Sequence, residues 1–434
     1  MQIYLVGGAV RDQLLGLPVR ERDWVVVGAT PAEMEALGYR RVGRDFPVYL
    51  HPETNEEYAL ARTERKTGPG YRGFAVQSER SVTLEEDLTR RDLTINAMAR
   101  SDDGQILDPT GGQAHLAARL LHHVSDAFRE DPVRILRVAR FAARFHNLGF
   151  RVAPATMALM KSMVDTGEVA SLVAERVWQE TVTALSAPRP DTYFQVLRDC
   201  GALAVIFPEV DALFGVPQPA RWHPEVDTGI HVMLALREAA RRSFSTEVRF
   251  AVLTHDLGKA TTPAAELPAH HGHEDRGVSL VVALCQRLAI PNRFRDLAVA
   301  VARDHGLAHR ALELKPRTLL SLLERLDAFR RGHRVTAFLD ACESDARGRT
   351  GLENTPYPQR RLIEQCWQAA LAINSRTVLP GPSAGPSASP SPTDTPIGEA
   401  LSGEAIGRAI QDARLKAITD TKAAFMDELN RSRK

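Results

Sequence analysis

The sequence predicts an α+β protein, in which a small mixed α/β head is followed by all-helical parts. Short apolar runs bounded by glycine alternate with helical stretches up to about residue 125. From Asp126 to about residue 375, helical periodicity continues without strand-like alternation of any length. A chain of 434 residues, 44% hydrophobic and 25% charged, is long enough for about three domains of ordinary size.

The head is predicted to contain four strands and a capped helix. Thr30, Pro31 and Glu33 form the capping-box signature of a helix start, and Gly38 closes that helix. The strands are expected at residues 2–6, 23–28, 47–51 and 57–62.

Six segments are expected along the chain. Prolines and glycines interrupt the helical pattern near residues 215–228, and the Pro- and Ser-rich stretch after residue 380 cannot bury enough apolar area to fold. The segments are the head over 1–125, a helical neck and body over 126–220, a second helical domain over 228–350, a helical extension over 351–379, a linker over 380–397 and a helical tail over 398–434.

Composition limits the classes of function. A net charge of +1 means that any nucleic-acid surface must be local. The four cysteines lie far apart and fit a reducing compartment. We see no signal peptide and no apolar run of about 20 residues, so we expect a cytoplasmic protein without a membrane partner.

Two carboxylates stand at the entrance of the second strand. Side chains at positions i and i+2 of a strand share a face, so Glu21 and Asp23 are expected to project together. Two ionised carboxylates this close repel each other unless a divalent cation lies between them, and Mg²⁺ prefers such oxygen ligands. The alternative is an exposed strand start neutralised by Arg20 and Arg22.

A glycine pair follows the first strand. Gly7 and Gly8 allow backbone N–H groups to approach a phosphate closely, and Arg11 can add a guanidinium to it. The alternative is a simple tight turn. Together with the carboxylates, the turn predicts a site for a metal-bound nucleotide.

These motifs form a recognisable series. GGAVRDQLLG, the carboxylate pair, RRDLTINAM at 90–98, EDPVR at 130–134 and AERVWQE at 174–180 follow in this order. The series resembles the polymerase-β-like nucleotidyltransferase head and neck of the tRNA CCA-adding enzymes and the related bacterial poly(A) polymerases. That family usually has Asp where this chain has Glu21, which is one methylene longer and can still bind Mg²⁺.

The resemblance implies that a 3′-hydroxyl of RNA attacks the α-phosphate of a nucleoside triphosphate, with pyrophosphate leaving. Glu21 and Asp23 would hold Mg²⁺, and Gly8 and Arg11 would hold the triphosphate.

The RRD motif contributes a further candidate contact. Arg91 would contact the ribose or triphosphate, and Asp92 could orient Arg91. The alternative is an ordinary charged helix start.

Four arginines lie on one stripe of a predicted helix. Arg134, Arg137, Arg140 and Arg144 are spaced three, three and four residues apart. Like charges in such a row repel each other, so the stripe needs anions opposite it or a fully solvated face. We place the nucleotide, and part of the tRNA surface, on this side.

Asp131 and Arg134 could also select the base. A carboxylate accepts from the amino group of C or A while a guanidinium donates to the ring nitrogen, and U and G present the reverse pattern. This role is carried over from the EDPVR motif of the family. In AERVWQE, we expect Glu175, Arg176 and Glu180 to form ion pairs that support the neck.

A histidine-rich region points to a second metal site. His231, the doublet in THDLGK at 254–259, HHGH at 270–273 and His305 follow in order, and imidazole suits Ni, Zn, Mn or Co. The region resembles the HD phosphohydrolase superfamily and extends the likeness to the HD-containing bacterial CCA-adding enzymes to about residue 350.

The best ligand candidates of this HD domain are His231, His255 and Asp256. Weaker candidates are His271, His305 and Asp345, and spacing alone leaves open which of His270, His271 and His273 binds a transition metal such as Ni²⁺. Lys259 could meet a substrate phosphate. The resemblance implies phosphatase and 2′,3′-cyclic phosphodiesterase activity, and the alternative is an HD fold that no longer binds metal.

The sequence therefore predicts an enzyme that adds and repairs CCA at tRNA 3′ ends with CTP and ATP, as a monomer or homodimer. Three alternatives stay open: a poly(A) polymerase with the same head, a metal phosphohydrolase whose head only binds nucleotides, and a non-catalytic RNA-binding protein.

Overall fold

The computed structural model describes residues 1–42, 48–66, 74–77, 79–378 and 403–432. The chain divides into two compact units, one formed by Met1–Ala212 with Leu284–Ile290 and the other by Leu213–Ala283 with Pro291–Lys434. The predicted linker over 380–397 lies outside the described residues.

The first unit contains all strands of the described residues. They are β1 (Gln2–Val6), β2 (Asp23–Val27), β3 (Arg40–Val42), β4 (Val48–Leu50), β5 (Glu57–Leu60), β6 (Thr63–Lys66), β7 (Phe74–Gln77), β8 (Ala99–Arg100), β9 (Ile106–Leu107), β10 (Leu120–Leu121) and β11 (Arg151–Val152). The helices up to residue 211 are α1 (Gly8–Leu14), α2 (Pro31–Ala36), α3 (Leu84–Thr89), α4 (Gly112–Ala117), α5 (Val133–Phe145), α6 (Pro154–Asp165), α7 (Ala174–Leu185), α8 (Pro190–Asp199), α9 (Ala202–Ile206) and α10 (Pro208–Asp211).

The described residues after residue 212 form helices joined by loops and turns. Their helices are α11 (Thr228–Arg241), α12 (Thr246–Thr254), α13 (His273–Arg287), α14 (Asn292–His309), α15 (Pro316–Arg325), α16 (His333–Arg347), α17 (Pro358–Leu371), α18 (Ser375–Val378) and α19 (Gly403–Arg431). None of the helices in the described ranges is long and apolar enough to cross a membrane. The predicted α+β class is confirmed.

A seven-stranded sheet organises the head, in the order β3-β4-β5-β2-β1-β8-β9. The central strand β2 is apolar from Trp24 to Val27, because both of its faces are covered there. Val25 packs into one core with Val6 and Leu88, whereas Val26 packs into another with Met34. The antiparallel register of β1 and β2 pairs the last residue of β1 with the first residue of β2, which is Asp23.

The predicted strands and capping box are confirmed. The expected strands correspond to β1, β2, β4 and β5, and the Thr30 side chain accepts from the Glu33 backbone while the Glu33 carboxylate accepts from the Thr30 backbone. Strands β3 and β6 to β11 were not predicted, because strands of two to four residues are too short to show a clear alternating pattern. One such pair, β10 with β11, lies partly in the region predicted to be all-helical.

In the second unit, α12 packs against α11, α14 and α16. This arrangement brings together the helices that carry the predicted metal ligands. The tail helix α19 packs against α15 and α17 and buries Ile418 and Phe425. The tail is therefore part of the second unit.

Candidate functional site

One cavity of about 670 Å³ in the first unit gathers every nucleotide-site residue predicted from the sequence. We call it the head cavity. Its lining includes the predicted residues Gly8, Arg11, Glu21, Asp23, Arg91, Asp131, Arg134, Arg137 and Arg140. Nine arginines and five carboxylates line it in total, an excess of positive charge that suits a triphosphate.

Glu21 and Asp23 both line the cavity, but they are not neighbours on one face of a strand, as the alternation pattern predicts. Asp23 begins β2, but Glu21 precedes the strand, so the pair is not an i, i+2 pair within one strand. Both side chains nevertheless line the same cavity. Burial and the nearby charge of Glu21 raise the pKa of Asp23, and Arg91 opposes this effect. Mutual repulsion of this kind is what a bound divalent cation relieves.

The glycine turn lies directly beside Asp23. Asp23 pairs with Val6, and Gly7 follows with a φ of 68°, in the left-handed region that favours glycine. A Cβ at Gly7 would lie 3.0 Å from Nη1 of Arg91. The bare backbone therefore allows the Arg91 guanidinium to lie against the turn.

Asp87, and not Asp92 as expected, orients Arg91. The Arg91 Nη2 lies 3.1 Å from Oδ2 of Asp87, whose fully buried carboxylate also binds Arg90. Asp92 instead accepts from Asn96 and pairs with Arg137 at 2.7 Å. The i, i+4 spacing of Asp87 and Arg91, and the i, i+3 spacing of Asp87 and Arg90, were usable local signals in the sequence.

Arg11 is buried in the cavity wall. Its guanidinium bonds to Asp12 and to Oδ1 of Asn96, and it lies over the rings of Phe141 and Phe145. Burial lowers the pKa of Arg11, and Asp12 opposes the shift. These contacts hold the side chain in one position behind the glycine turn.

The arginine stripe on α5 faces acidic residues of the chain itself. Arg137 and Arg140 pair with Glu180 on α7, and Arg144 pairs with Asp12 on α1 at 2.8 Å. The stripe is therefore not a fully solvated face, and its charges are partly neutralised within the chain, not by RNA alone. Of the ion pairs expected for AERVWQE, those of Arg176 and Glu180 are present, whereas Glu175 forms none among the described residues.

The side chains of Asp131 and Arg134 are each bound to other groups, rather than to each other. Asp131 receives two bonds from Arg176, at 3.1 and 2.7 Å. Arg134 is buried and donates to the backbone carbonyls of Ala127 and Arg90. Both side chains are thus fixed by the surrounding fold where they line the cavity.

The second unit contains a cluster of histidines and carboxylates, which we call the histidine cluster. Asp256 and Asp345 stand at its centre, and both are buried. Nε2 of His255 lies 3.1 Å from Asp256 and 3.8 Å from Asp345, and Nε2 of His231 lies 3.0 Å from Asp345. The cluster members are His231, His255, Asp256, His273, His305, His309 and Asp345.

The imidazoles present lone pairs to the carboxylates. Nδ1 of His255, His273 and His305 each contacts a backbone carbonyl at 2.7 to 2.9 Å, which assigns the proton to Nδ1. Burial lowers the pKa of His305 to about 3 and keeps it neutral. Lone pairs then face carboxylate oxygens, and neither oxygen of Asp256 accepts a well-formed hydrogen bond in the described chain. This donor set fits a metal cation.

The structure separates the candidate ligands left open by spacing. His271 is exposed and outside the groups of ligand atoms found in the described residues, and His270 bonds to Thr262 and the Pro217 carbonyl. His273 lies in the cluster in place of the expected His271. Lys259 lies 2.7 Å from Asp256.

Two further cluster contacts were missed. His309 lies 2.6 Å from Asp345, and its i+4 spacing from His305 on one helix was a usable signal. Glu225 lies 3.0 Å from Nδ1 of His231 and precedes α11, where no sequence pattern marks it.

Gly258 permits the backbone approach that brings His273 into the cluster. A Cβ at Gly258 would lie 1.9 Å from the His273 carbonyl oxygen. We expect Gly258→Ala to lower the free energy of unfolding by about 1–3 kcal/mol, because the backbone of His273 must move. Urea unfolding measures this, with Gly407→Ala on α19, where a Cβ meets nothing within 4 Å, as the control. Equal stability of the two variants would contradict the close contact.

Three family profiles match the chain in order. The poly A polymerase head domain matches residues 3–122, the probable RNA and SrmB-binding site of polymerase A matches residues 149–214, and the HD domain matches residues 229–342. The first two fall in the unit with the head cavity, and the third contains most of the histidine cluster.

Solved structures share this fold over the whole chain. The Thermotoga maritima CCA-adding enzyme complexed with tRNA is 17% identical, with a TM-score of 0.59, covering 99% of this chain and 91% of that one. A CCA-adding enzyme complexed with ATP is 18% identical, with a TM-score of 0.60, covering 100% and 92%. At this identity the likeness concerns the fold alone.

Curated relatives are far more similar. The multifunctional CCA protein of Thioalkalivibrio sulfidiphilus is 62% identical over 425 residues, which is 98% of this chain and 100% of the relative. The protein of that name from Methylococcus capsulatus is 56% identical and covers 98% and 96%. With the three profiles in the same order and a relative matched from end to end, the chain belongs to the family of multifunctional CCA proteins.

Proposed function

We propose that this chain adds and repairs the 3′-terminal CCA of tRNA, using CTP and ATP and no nucleic-acid template. The observation that carries the proposal is the head cavity, in which Asp23, Glu21 and the glycine turn stand beside a wall of arginines. The names of the relatives, and the tRNA, ATP and CTP complexes of proteins with this fold, support the same substrates.

Glu21 and Asp23 are proposed to hold Mg²⁺. When bound, the ion would neutralise charge on the triphosphate and favour ionisation of the attacking hydroxyl. Gly8 and Arg91 would hold the phosphates against the turn, with Arg91 fixed by Asp87. Arg11 would support the turn from behind, because its guanidinium is already bound by Asn96 and Asp12.

Asp131 and Arg134 are proposed to select C and A. Arg176 fixes the carboxylate, and two backbone carbonyls fix the guanidinium, so neither side chain can rotate to suit U or G without losing bonds. U or G would then leave buried polar groups mispaired.

We expect Asp131→Ala to reduce the preference for CTP over UTP by about 10- to 100-fold, since one mispaired buried group costs roughly 1–3 kcal/mol. The ratio of kcat/KM for the two nucleotides measures this. The exposed Asp126 provides the control as Asp126→Ala. An unchanged ratio in Asp131→Ala would remove this carboxylate from base selection.

The proposal also covers the domain limits, the cellular location and the oligomeric state. We propose that the head spans residues 1–125, the neck and body 126–220 and the HD domain 228–350. We place the protein in the cytoplasm, which its four buried free cysteines support. Either a monomer or a homodimer is compatible with a head cavity lined by one chain.

The proposal is tested with tRNA that lacks its last three nucleotides. The chain is incubated with each nucleoside triphosphate separately, with and without Mg²⁺. We expect CMP addition from CTP alone, AMP addition only after the two C residues are in place, and no addition without a divalent ion. Long tails of A with CTP ignored would instead indicate a poly(A) polymerase.

A second activity is proposed for the histidine cluster, namely metal-dependent hydrolysis of phosphomonoesters and 2′,3′-cyclic phosphates, with Ni²⁺ as one suitable metal. The inward lone pairs and the two buried carboxylates support it. Lys259, held beside Asp256 and bonded to Gln218, would bind the substrate phosphate. Hydrolysis of a 2′,3′-cyclic nucleotide by the metal-loaded chain, lost with a chelator, is the expected result, and no hydrolysis with any of Ni²⁺, Mn²⁺ or Co²⁺ would contradict it.

A further inference from the structure

We propose that a cavity in the helical second unit binds a free nucleoside di- or triphosphate. We call it the arginine cavity. Its volume is about 1010 Å³, and its lining comes from α12 to α16 and from residues beside them. None of the described lining residues belongs to the head cavity or to the histidine cluster. The inference therefore concerns a binding site beyond both proposed activities.

The first argument is the charge of the lining. Six arginines surround the cavity, namely Arg293, Arg295, Arg303, Arg325, Arg331 and Arg334. Their ion-pair partners among the described residues are the four carboxylates of Glu247, Asp296, Asp304 and Asp327. Six positive charges against four negative ones leave an excess of two, which suits a ligand with several anionic oxygens.

Shared carboxylates hold the guanidinium groups in place without using all of their donors. Asp296 lies 2.9 Å from Arg295 and 3.4 Å from Arg334. The buried Asp304 likewise binds two of the other arginines. A guanidinium has five N–H donors, and within the described chain the Arg334 side chain uses one of them, in the long contact with Asp296. The remaining donors can bind phosphate oxygens, with which guanidinium groups form bidentate pairs.

The second argument is that three helices begin at the arginine cavity. Glu247 lies in the first turn of α12, Arg295 in the first turn of α14, and His333 is the first residue of α16. The N-terminal end of a helix carries about half a positive charge, which adds to the charge of the arginines. The other ends of α12 and α16 lead to the histidine cluster, because His255 directly follows α12 and Asp345 lies in the last turn of α16. The positive ends of these two helices therefore face the arginine cavity and not the proposed metal site.

The third argument is the apolar part of the lining. Apolar side chains from four segments line the cavity together with the arginines, namely Val282, Leu297, Val299, Ala300, Leu326 and Ala337. Inorganic phosphates would leave this surface unused, whereas the base and ribose of a nucleotide would bury it. The lining thus combines a surface for phosphates with a surface for a base.

The same lining favours a free nucleotide over a strand of RNA. Duplex RNA is bound mainly through its backbone and its shape, which needs no apolar cavity. Single strands are usually bound by aromatic side chains on which successive bases stack. The described lining residues include no Phe, Tyr or Trp.

The test is equilibrium dialysis of the full chain with a labelled, non-hydrolysable analogue of ATP in the presence of Mg²⁺. We expect two analogues per chain, one in the head cavity and one in the arginine cavity. The double variant Arg295→Gln with Arg334→Gln should bind one. Asp296, the shared partner of both arginines, is 38% exposed, so it stays solvated when they are replaced. The control is Arg317→Gln, which removes an exposed arginine of α15 outside the cavity and should leave two.

Competitors identify the ligand of the second equivalent, measured as the difference between the parent and the double variant. Adenosine and inorganic triphosphate should each displace it at least tenfold less well than ATP. One analogue bound to the parent, or two retained by the double variant, would overturn the proposal. Displacement by a single-stranded RNA oligonucleotide at lower concentrations than ATP would also overturn it, in favour of an RNA site.

Circular dichroism melting verifies that each variant is folded, and Arg331→Gln, which replaces a side chain that is 56% exposed, provides a second variant with the same expected loss. A chain that binds two analogues but adds no CMP to truncated tRNA would contradict the proposed CCA addition and leave the arginine cavity in place.

Discussion

Asp23→Asn is expected to reduce nucleotide addition to tRNA by on the order of 10³-fold while leaving tRNA binding unchanged. The carboxylate stands at the start of β2, opposite the end of β1 and beside the glycine turn, where the triphosphate is proposed to bind. Asparagine keeps the shape but not the charge, and a neutral amide holds Mg²⁺ weakly. Single-turnover addition of CMP measures the rate, and filter binding measures the affinity for tRNA.

The control is Asp102→Asn. Asp102 is an exposed carboxylate of the head that does not line the cavity. It should add CMP at the parental rate. Glu21→Asp restores the residue that the family usually carries and should remain active. Activity of Asp23→Asn within tenfold of the parent would exclude the carboxylate pair as the metal site.

His255→Gln is expected to abolish phosphoester hydrolysis, by a factor on the order of 10² or more, without changing CCA addition. His255 is buried and lies near both central carboxylates, so its replacement would remove one of the proposed metal ligands. The head cavity is lined by residues of the other unit alone, so addition should not respond. Parallel assays on one preparation, with a 2′,3′-cyclic nucleotide and with truncated tRNA, measure both rates.

The exposed His271 provides the matched control as His271→Gln. It should leave both rates at the parental level. Loss of both activities in His255→Gln would indicate a general folding defect, whereas unchanged hydrolysis would place the hydrolytic site outside the histidine cluster.

Local patterns in the sequence were sufficient for much of the head. The apolar run of β2, the glycine pair and the Thr30 capping box are encoded within a few residues, and the structure has each of them. Strand alternation does not place Glu21 and Asp23 on one face, because the strand begins only at Asp23. The two carboxylates still line one cavity, since the chain before β2 also faces it.

Contacts between distant segments could not be predicted. Asp92 pairs with Arg137, which lies 45 positions further along the chain, so spacing does not reveal this pair, whereas the i, i+4 spacing of Asp87 and Arg91 was a usable signal. The acidic partners of the α5 stripe come from α1 and α7. In HHGH, spacing alone does not distinguish the three histidines. The close backbone approach at Gly258 determines which of them enters the cluster.

The central claim is that this chain adds the defined sequence C-C-A to tRNA, and that its own nucleotide site, without a nucleic-acid template, specifies that sequence. The most direct measurement is sequencing of tRNA 3′ ends after incubation with the chain and all four nucleoside triphosphates. The account predicts that tRNA lacking its last three nucleotides ends in CCA and is extended no further. Ends that carry runs of A, mixed nucleotides or no addition would contradict it.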